Sequence, residues 1–258
     1  MKLYQVDAFS NKVFGGNQAA ICPLKEWLPE SIMQKIAAEN NLSETAFFVP
    51  EKEGFHIRWF TPITEVDLCG HATLASAHVL FNHEQYSKKE IIFYCRVGIL
   101  RVSKTDKYIQ MDFPASPLSL SKTPEALTSA LGKTPLSYYV GGDFGMAILD
   151  SEEDIKSVSP NFIELQKVEE KVIVITAPGK EVDFVSRVFG PKVGINEDPV
   201  TGSAHTRLVP YWSERLNKKT FTAIQLSERR GHLFCEDKGD RILISGEAVT
   251  YLIGEFSI

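Results

Sequence analysis

A few side chains stand where proton chemistry could be done. The segment Leu42-Ser43-Glu44-Thr45-Ala46-Phe47-Phe48-Val49 carries Glu44 into an otherwise apolar strand. An unpaired carboxylate is costly there, and burial raises its pKa toward the range useful for proton transfer. A solvated strand-end charge would look the same in sequence. His71 opens a stretch, residues 68 to 83, that contains no Asp, Glu, Lys or Arg. Asp198 and Ser203 lie in Asp198-Pro199-Val200-Thr201-Gly202-Ser203, directly before and at the start of a second helix. Asp198 could serve there as an N-cap, and Ser203 as a first-turn hydroxyl. Both helices open with Gly and a small or polar residue, at Gly70 and Gly202. An uncapped helix start offers backbone N–H groups and about half a positive charge, enough to hold a carboxylate without a lysine. His78 and His83 are five apart with no carboxylate set beside them, so no metal site is expected.

The elements that position these residues occur twice. Arg58-Trp59-Phe60-Thr61-Pro62 and Arg187-Val188-Phe189-Gly190-Pro191 share R-x-F-x-P, 129 residues apart. Gly70-His71-Ala72 and Gly202-Ser203-Ala204 follow at 132, and Gly98-Ile99-Leu100 and Gly231-His232-Leu233 at 133. Three matches in order at nearly one offset indicate a duplication. Two homologous domains follow, 1–115 and 116–258, divided after the two prolines of Asp112-Phe113-Pro114-Ala115-Ser116-Pro117. The last strand is free to cross over to the first domain. Period-2 alternation at Phe55, Ile57 and Trp59 predicts a strand, and residues 91–102 alternate likewise. The helix from Gly70 to Phe81 is apolar almost all round, so it must be buried all round. In a strand-rich chain that requires a curled sheet about a central helix, an α+β architecture. If the two domains face each other, both helix starts could point into one cleft.

Composition bounds the partners. The chain has 258 residues, 28 Lys+Arg and 33 Asp+Glu, for a net charge of −5. Without a basic face, nucleic-acid or acidic-membrane binding is not expected. Neither a signal-peptide core nor a run of about 18 apolar residues is present, so a cytoplasmic protein is expected. Cys22, Cys69, Cys95 and Cys235 show neither CxxC nor zinc spacing and read as reduced thiols.

These segments resemble the phenazine-biosynthesis PhzF-like isomerase family. The resemblance is carried by Gln5-Val6-Asp7-Ala8-Phe9, Gly16-Asn17-Gln18-Ala19-Ala20, Asn41-Leu42-Ser43-Glu44-Thr45, Arg58-Trp59-Phe60-Thr61-Pro62, Leu68-Cys69-Gly70-His71-Ala72-Thr73 and Asn196-Glu197-Asp198-Pro199-Val200-Thr201-Gly202-Ser203-Ala204. It implies the diaminopimelate-epimerase-like fold, with two similar domains, each an open barrel around a helix. It implies a cofactor-independent isomerase acting on a small, cyclic carboxylate. Glu44 would be general base and then general acid, with His71, Asp198 and Ser203 lining the site. Gly70 and Gly202 would supply N–H groups to the substrate, and Asn17 would approach it. A homodimer is implied as well.

Two other readings use the same features. An amino-acid epimerase of this fold would place one cysteine at each helix entry. Cys69 precedes Gly70, but Thr201 precedes Gly202, and threonine is a poor acid or base near pH 7. A non-catalytic carboxylate-binding protein would need the helix starts but not Glu44, whose charge repels an anion.

Overall fold

The computed structural model describes all residues, Met1–Ile258. The chain divides into two compact units, one of Met1–Phe113 with Leu243–Ile258 and one of Pro114–Ile242.

Unit 1 begins with β1 (Lys2–Ala8), β2 (Asn17–Pro23), α1 (Glu30–Asn40), β3 (Glu44–Glu51), β4 (Gly54–Phe60) and β5 (Glu65–Val66). The central helix α2 (Gly70–Asn82) follows, then β6 (Glu90–Cys95), β7 (Gly98–Lys104) and β8 (Ile109–Pro114). Unit 2 contains β9 (Ser119–Ser121), α3 (Glu125–Leu131), β10 (Ser137–Gly141), β11 (Phe144–Ile148), α4 (Glu152–Ser157) and α5 (Phe162–Leu165). It continues through β12 (Val172–Pro178), β13 (Phe184–Gly190), β14 (Ile195–Asp198), α6 (Gly202–Leu216), β15 (Thr220–Gln225) and β16 (Gly231–Asp237). The strand β17 (Arg241–Gly246) leads out of unit 2, and β18 (Ala248–Glu255) belongs to unit 1.

The pairings of unit 1 recur in unit 2 strand for strand. In unit 1, β1 pairs antiparallel with β18 and β2, β2 runs parallel to β3, and β4 is antiparallel to β3 and β5 and parallel to β6. In unit 2, β10 pairs antiparallel with β9 and β11, β11 runs parallel to β12, and β13 is antiparallel to β12 and β14 and parallel to β15. Each continues into an antiparallel hairpin, β6–β7 and β15–β16, and in unit 1 β8 pairs antiparallel with β7. The one exchange is at the edge: β1 takes its outer partner from the far end of the chain, whereas β10 takes the adjacent β9.

The apolar surround foreseen for the first central helix is present. Residues 71 to 77, with Val79 and Leu80, are buried on every side of α2. This helix packs against β1, β2, β3, β7 and β18, strands from both margins of one sheet. A sheet can reach one helix from both margins only by curling round it. α6 is wetter, with Ser203, Arg207, Pro210, Tyr211 and Glu214 along its less buried face. Pro210 lies inside this helix and has no N–H for the Thr206 carbonyl. The Ser116 N–H fills that vacancy at 3.1 Å. A second cluster lies under the outer helices of each unit: Met33, Ile36 and Phe47 beside α1, and Leu127, Ile155 and Ile175 beside α3 and α4.

The repeated R-x-F-x-P is a structural clamp. Arg58 donates from Nε and Nη2 to both oxygens of Glu65, each at 2.7 Å, and lies 5.2 Å from the Phe60 ring centre. Arg187 does the same to Glu197, at 2.7 and 2.9 Å, and lies 5.0 Å from the Phe189 ring centre. Each arginine thus fastens the short return strand, β5 or β14, that leads to a central helix.

Candidate active site

The two helix starts lie in different units, and each has its own surroundings. In unit 1 the turn after β1 ends at Gly16, whose φ of +65° suits glycine. A Cβ there would stand 2.0 Å from the Ala8 carbonyl oxygen, so only glycine lets the chain fold back and bury Asn17. Glu44 is the first residue of β3, beside Ala19 of β2. The Cys69 backbone precedes α2 in extended conformation, with no side chain capping the first turn. Thr73 donates from its hydroxyl to the Cys69 carbonyl at 2.6 Å, which fixes that entry.

These elements bring Asn17, Glu44, Cys69 and His71 together. His71 Nε2 lies 3.0 Å from Glu44 Oε2, with side chains 6% and 12% exposed. The contact is close but lacks the alignment of a hydrogen bond, which leaves Oε2 a lone pair for another proton. On the other ring nitrogen, Nδ1 is 3.2 Å from Asn17 Nδ2 and 3.5 Å from Cys69 Sγ. Burial alone would discharge the His71 ring, but the Glu44 carboxylate beside its Nε2 outweighs it. The net effect holds His71 well above the usual imidazole range. Glu44 is therefore paired with His71, not the lone carboxylate its apolar strand suggested.

Cys69 is sealed in, and burial with the adjacent Glu44 pushes its thiol up to about 11. It stays protonated at neutral pH and is a poor proton acceptor. Donor atoms of Glu44, Cys69 and His71 lie within 4.8 Å of one another. A cation held there would have to deprotonate the thiol and compete for the Glu44–His71 contact.

In unit 2, Asp198 ends β14 and does not cap α6. The N-cap residue is Thr201, and no side chain caps the helix. The prolyl residue Pro199 and Val200 separate Asp198 from the first turn, so its carboxylate instead accepts the Thr201 hydroxyl. Buried Gln225 braces this loop. Its Nε2 donates to the Asp198 carbonyl at 2.7 Å, and its Oε1 accepts the Thr201 N–H at 2.9 Å. Gly231 leaves room for Val200, since a Cβ there would lie 2.2 Å from Val200 Cγ2. Ser203 is half-buried one residue inside α6, and its carbonyl accepts from Thr206 and Arg207. Thr201 stands where Cys69 stands in unit 1, and Ser203 where His71 stands. His205 matches Thr73: its Nδ1 lies 2.9 Å from the Thr201 carbonyl.

Sequence reasoning missed Gln225, Glu65 and Glu197. Gln225 lies 24 residues beyond its loop with no local signal. The two glutamates sit at different spacings from their arginines, 7 and 10 residues. A search for acidic residues between each R-x-F-x-P and its helix would have found them.

Residues 6–254 match the profile of the phenazine biosynthesis-like (PhzC–PhzF) protein family. An uncharacterized isomerase of Pseudomonas aeruginosa is 46% identical over 100% of this chain and 99% of its own length. The crystal structure of a PhzF-family phenazine biosynthesis protein from Enterococcus faecalis superposes with a TM-score of 0.97 at 45% identity, over 100% of this chain and 99% of that one. A probable proline racemase from Agrobacterium radiobacter shares the fold at 10% identity, with a TM-score of 0.66, over 100% of this chain and 93% of its own. No helix is long and apolar enough to cross a membrane.

Proposed function

The chain belongs to the phenazine biosynthesis-like (PhzF) family of isomerases, and from that premise we propose that it moves a proton between carbons of a small, cyclic carboxylate. The observation that carries this reading is the Glu44–His71 pair at the uncapped start of α2. Glu44 takes a proton from a C–H of the substrate and becomes a carboxylic acid. The electron pair left behind delocalises into the substrate's unsaturated system. Glu44 then returns the proton to a different carbon, so the substrate gains and loses nothing. His71, held by Asn17, orients the carboxylate and offsets its charge in the resting state. The N–H groups of Gly70 and its successors stabilise the substrate carboxylate or the developing oxyanion. By the same reading, the start of α6 with Gly202, Ser203 and Asp198 is a carboxylate-facing helix start within unit 2, its loop held in shape by Gln225.

An epimerase that uses a pair of thiols fits less well, because Cys69 is held protonated and Thr201 occupies the matching place. A carboxylate-binding protein without turnover does not require Glu44 beside its ligand.

The test is a panel of cyclic and aromatic carboxylates incubated with the protein in deuterated water, read by mass spectrometry and NMR. Less than one solvent deuteron per turnover is expected at the new C–H position, because Glu44 returns the proton it took and gains deuterium only to the extent that its carboxyl exchanges with solvent before the return. In Glu44→Gln, with an unchanged circular dichroism spectrum, turnover should fall about a thousandfold or more. Full turnover by a folded Glu44→Gln protein would remove Glu44 from the reaction.

A further inference from the structure

Unit 2 holds a cation with no anion. Arg207 lies on the less buried face of α6, with its guanidinium 3.8 Å from the Phe144 ring centre. Its Nη1 donates to the Ser203 carbonyl at 2.9 Å and to the Thr206 hydroxyl at 3.1 Å. Its Nε is shut off from water with no acceptor. No carboxylate pairs with it, and burial draws its pKa below the usual guanidinium range while leaving it charged. The other two clamped arginines show what is missing. Arg58 and Arg187 each lay the Nε–Nη2 edge on a glutamate. The same edge of Arg207 has no protein partner.

Arg207 lines a cavity of about 410 Å³, within the range of small-molecule sites. Tyr139 and Tyr211 form one wall, with their rings edge to face at 5.3 Å. Met146 and Pro210 add apolar surface. Arg215 and Glu214, both exposed, stand at the lining with opposite charges. The lining therefore carries one net positive charge. A monoanion balances that charge, whereas a phosphate dianion would exceed it and meet Glu214. The planar Nε–Nη2 fork fits the two oxygens of a carboxylate.

We propose that this cavity binds a small aromatic monocarboxylate, with its carboxylate on the Nε–Nη2 edge of Arg207 and its ring against Tyr139 and Tyr211. Binding requires the guanidinium to turn on Phe144 so that its closed-off Nε faces the cavity. The site is independent of the isomerase reading, since it uses neither Glu44 nor His71.

The test is calorimetric titration of the full chain with 2-naphthoate and with its neutral amide, 2-naphthamide. One naphthoate per chain is expected, bound about tenfold or more tighter than the amide, as suits a charged, bidentate contact. Arg207→Met should weaken naphthoate by the same factor. Leu118→Trp, which fills the cavity from its margin, should do so with Arg207 intact and keeps the test open if Arg207→Met does not fold. Equal affinity for the amide, or indifference to both cavity variants, would each overturn the proposal. So would an absence of binding, including one caused by a second copy of the chain covering the cavity, which sedimentation would reveal.

Discussion

Cys69 and His71 are two residues apart and in contact, yet the surroundings assign them opposite states. The sulfur is kept protonated by burial and by Glu44, while the ring beside it is kept charged. A thiol titrating near 11 contributes almost no thiolate at pH 7. Cys69→Ser should therefore retain turnover within about threefold, the scatter expected for a packing change. A loss of a hundredfold or more in a folded Cys69→Ser protein would restore the thiol mechanism. Glu44 and His71 were legible in sequence because both interrupt stretches that have no other reason for polarity. Their contact was not, since the 26 intervening residues give no sign that the start of β3 meets the start of α2. The N-cap place that the sequence allowed for Asp198 falls to Thr201, because Pro199 and Val200 stand between Asp198 and the helix start at Gly202.

The elements were legible where physical demands repeat. R-x-F-x-P marks a strand whose arginine must find a carboxylate and whose phenylalanine must be buried, and both copies do so. The carboxylates themselves escaped because return strands as short as β5 and β14 have no periodicity to read. Arg187 and Glu197 are 12% and 24% exposed, so removing one partner strands a charge in a partly dry place. Arg187→Met should cost about 2–4 kcal/mol, below the full value for a deeply buried pair. Adding Glu197→Gln should recover part of it. Chemical unfolding of the two variants and the double variant measures this coupling directly. A double variant no more stable than Arg187→Met would mean the arginine acts through Phe189 and the Val158 carbonyl, not through the glutamate.

The whole molecule should be sensitive to mild acid for a reason shared by both units. His78 in unit 1 is held down to about 4 by burial, with His83 and Lys104 nearby. His205 in unit 2 is held down to about 4 by burial. Unfolded histidines bind protons near 6.5, so between about 6.5 and 4 the unfolded chain takes up two protons that the fold refuses. Stability is therefore lost as pH falls through that window, at up to about 1.4 kcal/mol per pH unit for each group. His71 has the opposite displacement: its contribution is complete below 6.5 and fades as pH rises through its folded value. Urea midpoints from pH 7.5 to 4.5 should show the fall, and His205→Gln should make it shallower. An unchanged slope in that variant would mean that His205 is not the group taking up the proton. The duplication was legible because it is written in residues, and the crossing of the last strand was foreseen as open; its partner β1 was not named, since that pairing joins positions about 250 apart. Met1 donates its terminal amino group to the Phe256 carbonyl at 2.6 Å, and the Phe256 N–H returns to Met1 at 2.9 Å. That exchange sets an order on synthesis. As the ribosome extends the chain, β1 emerges first and waits, with one edge bare, for some 240 residues until β18 exists. Unit 2 is contiguous but is complete only at Ile242, a few residues before β18 begins, so both units close together at the end of synthesis. Protease pulses during translation should find the first hundred residues cleavable until the chain is released, and the bare edge of β1 is the surface a chaperone would have to guard.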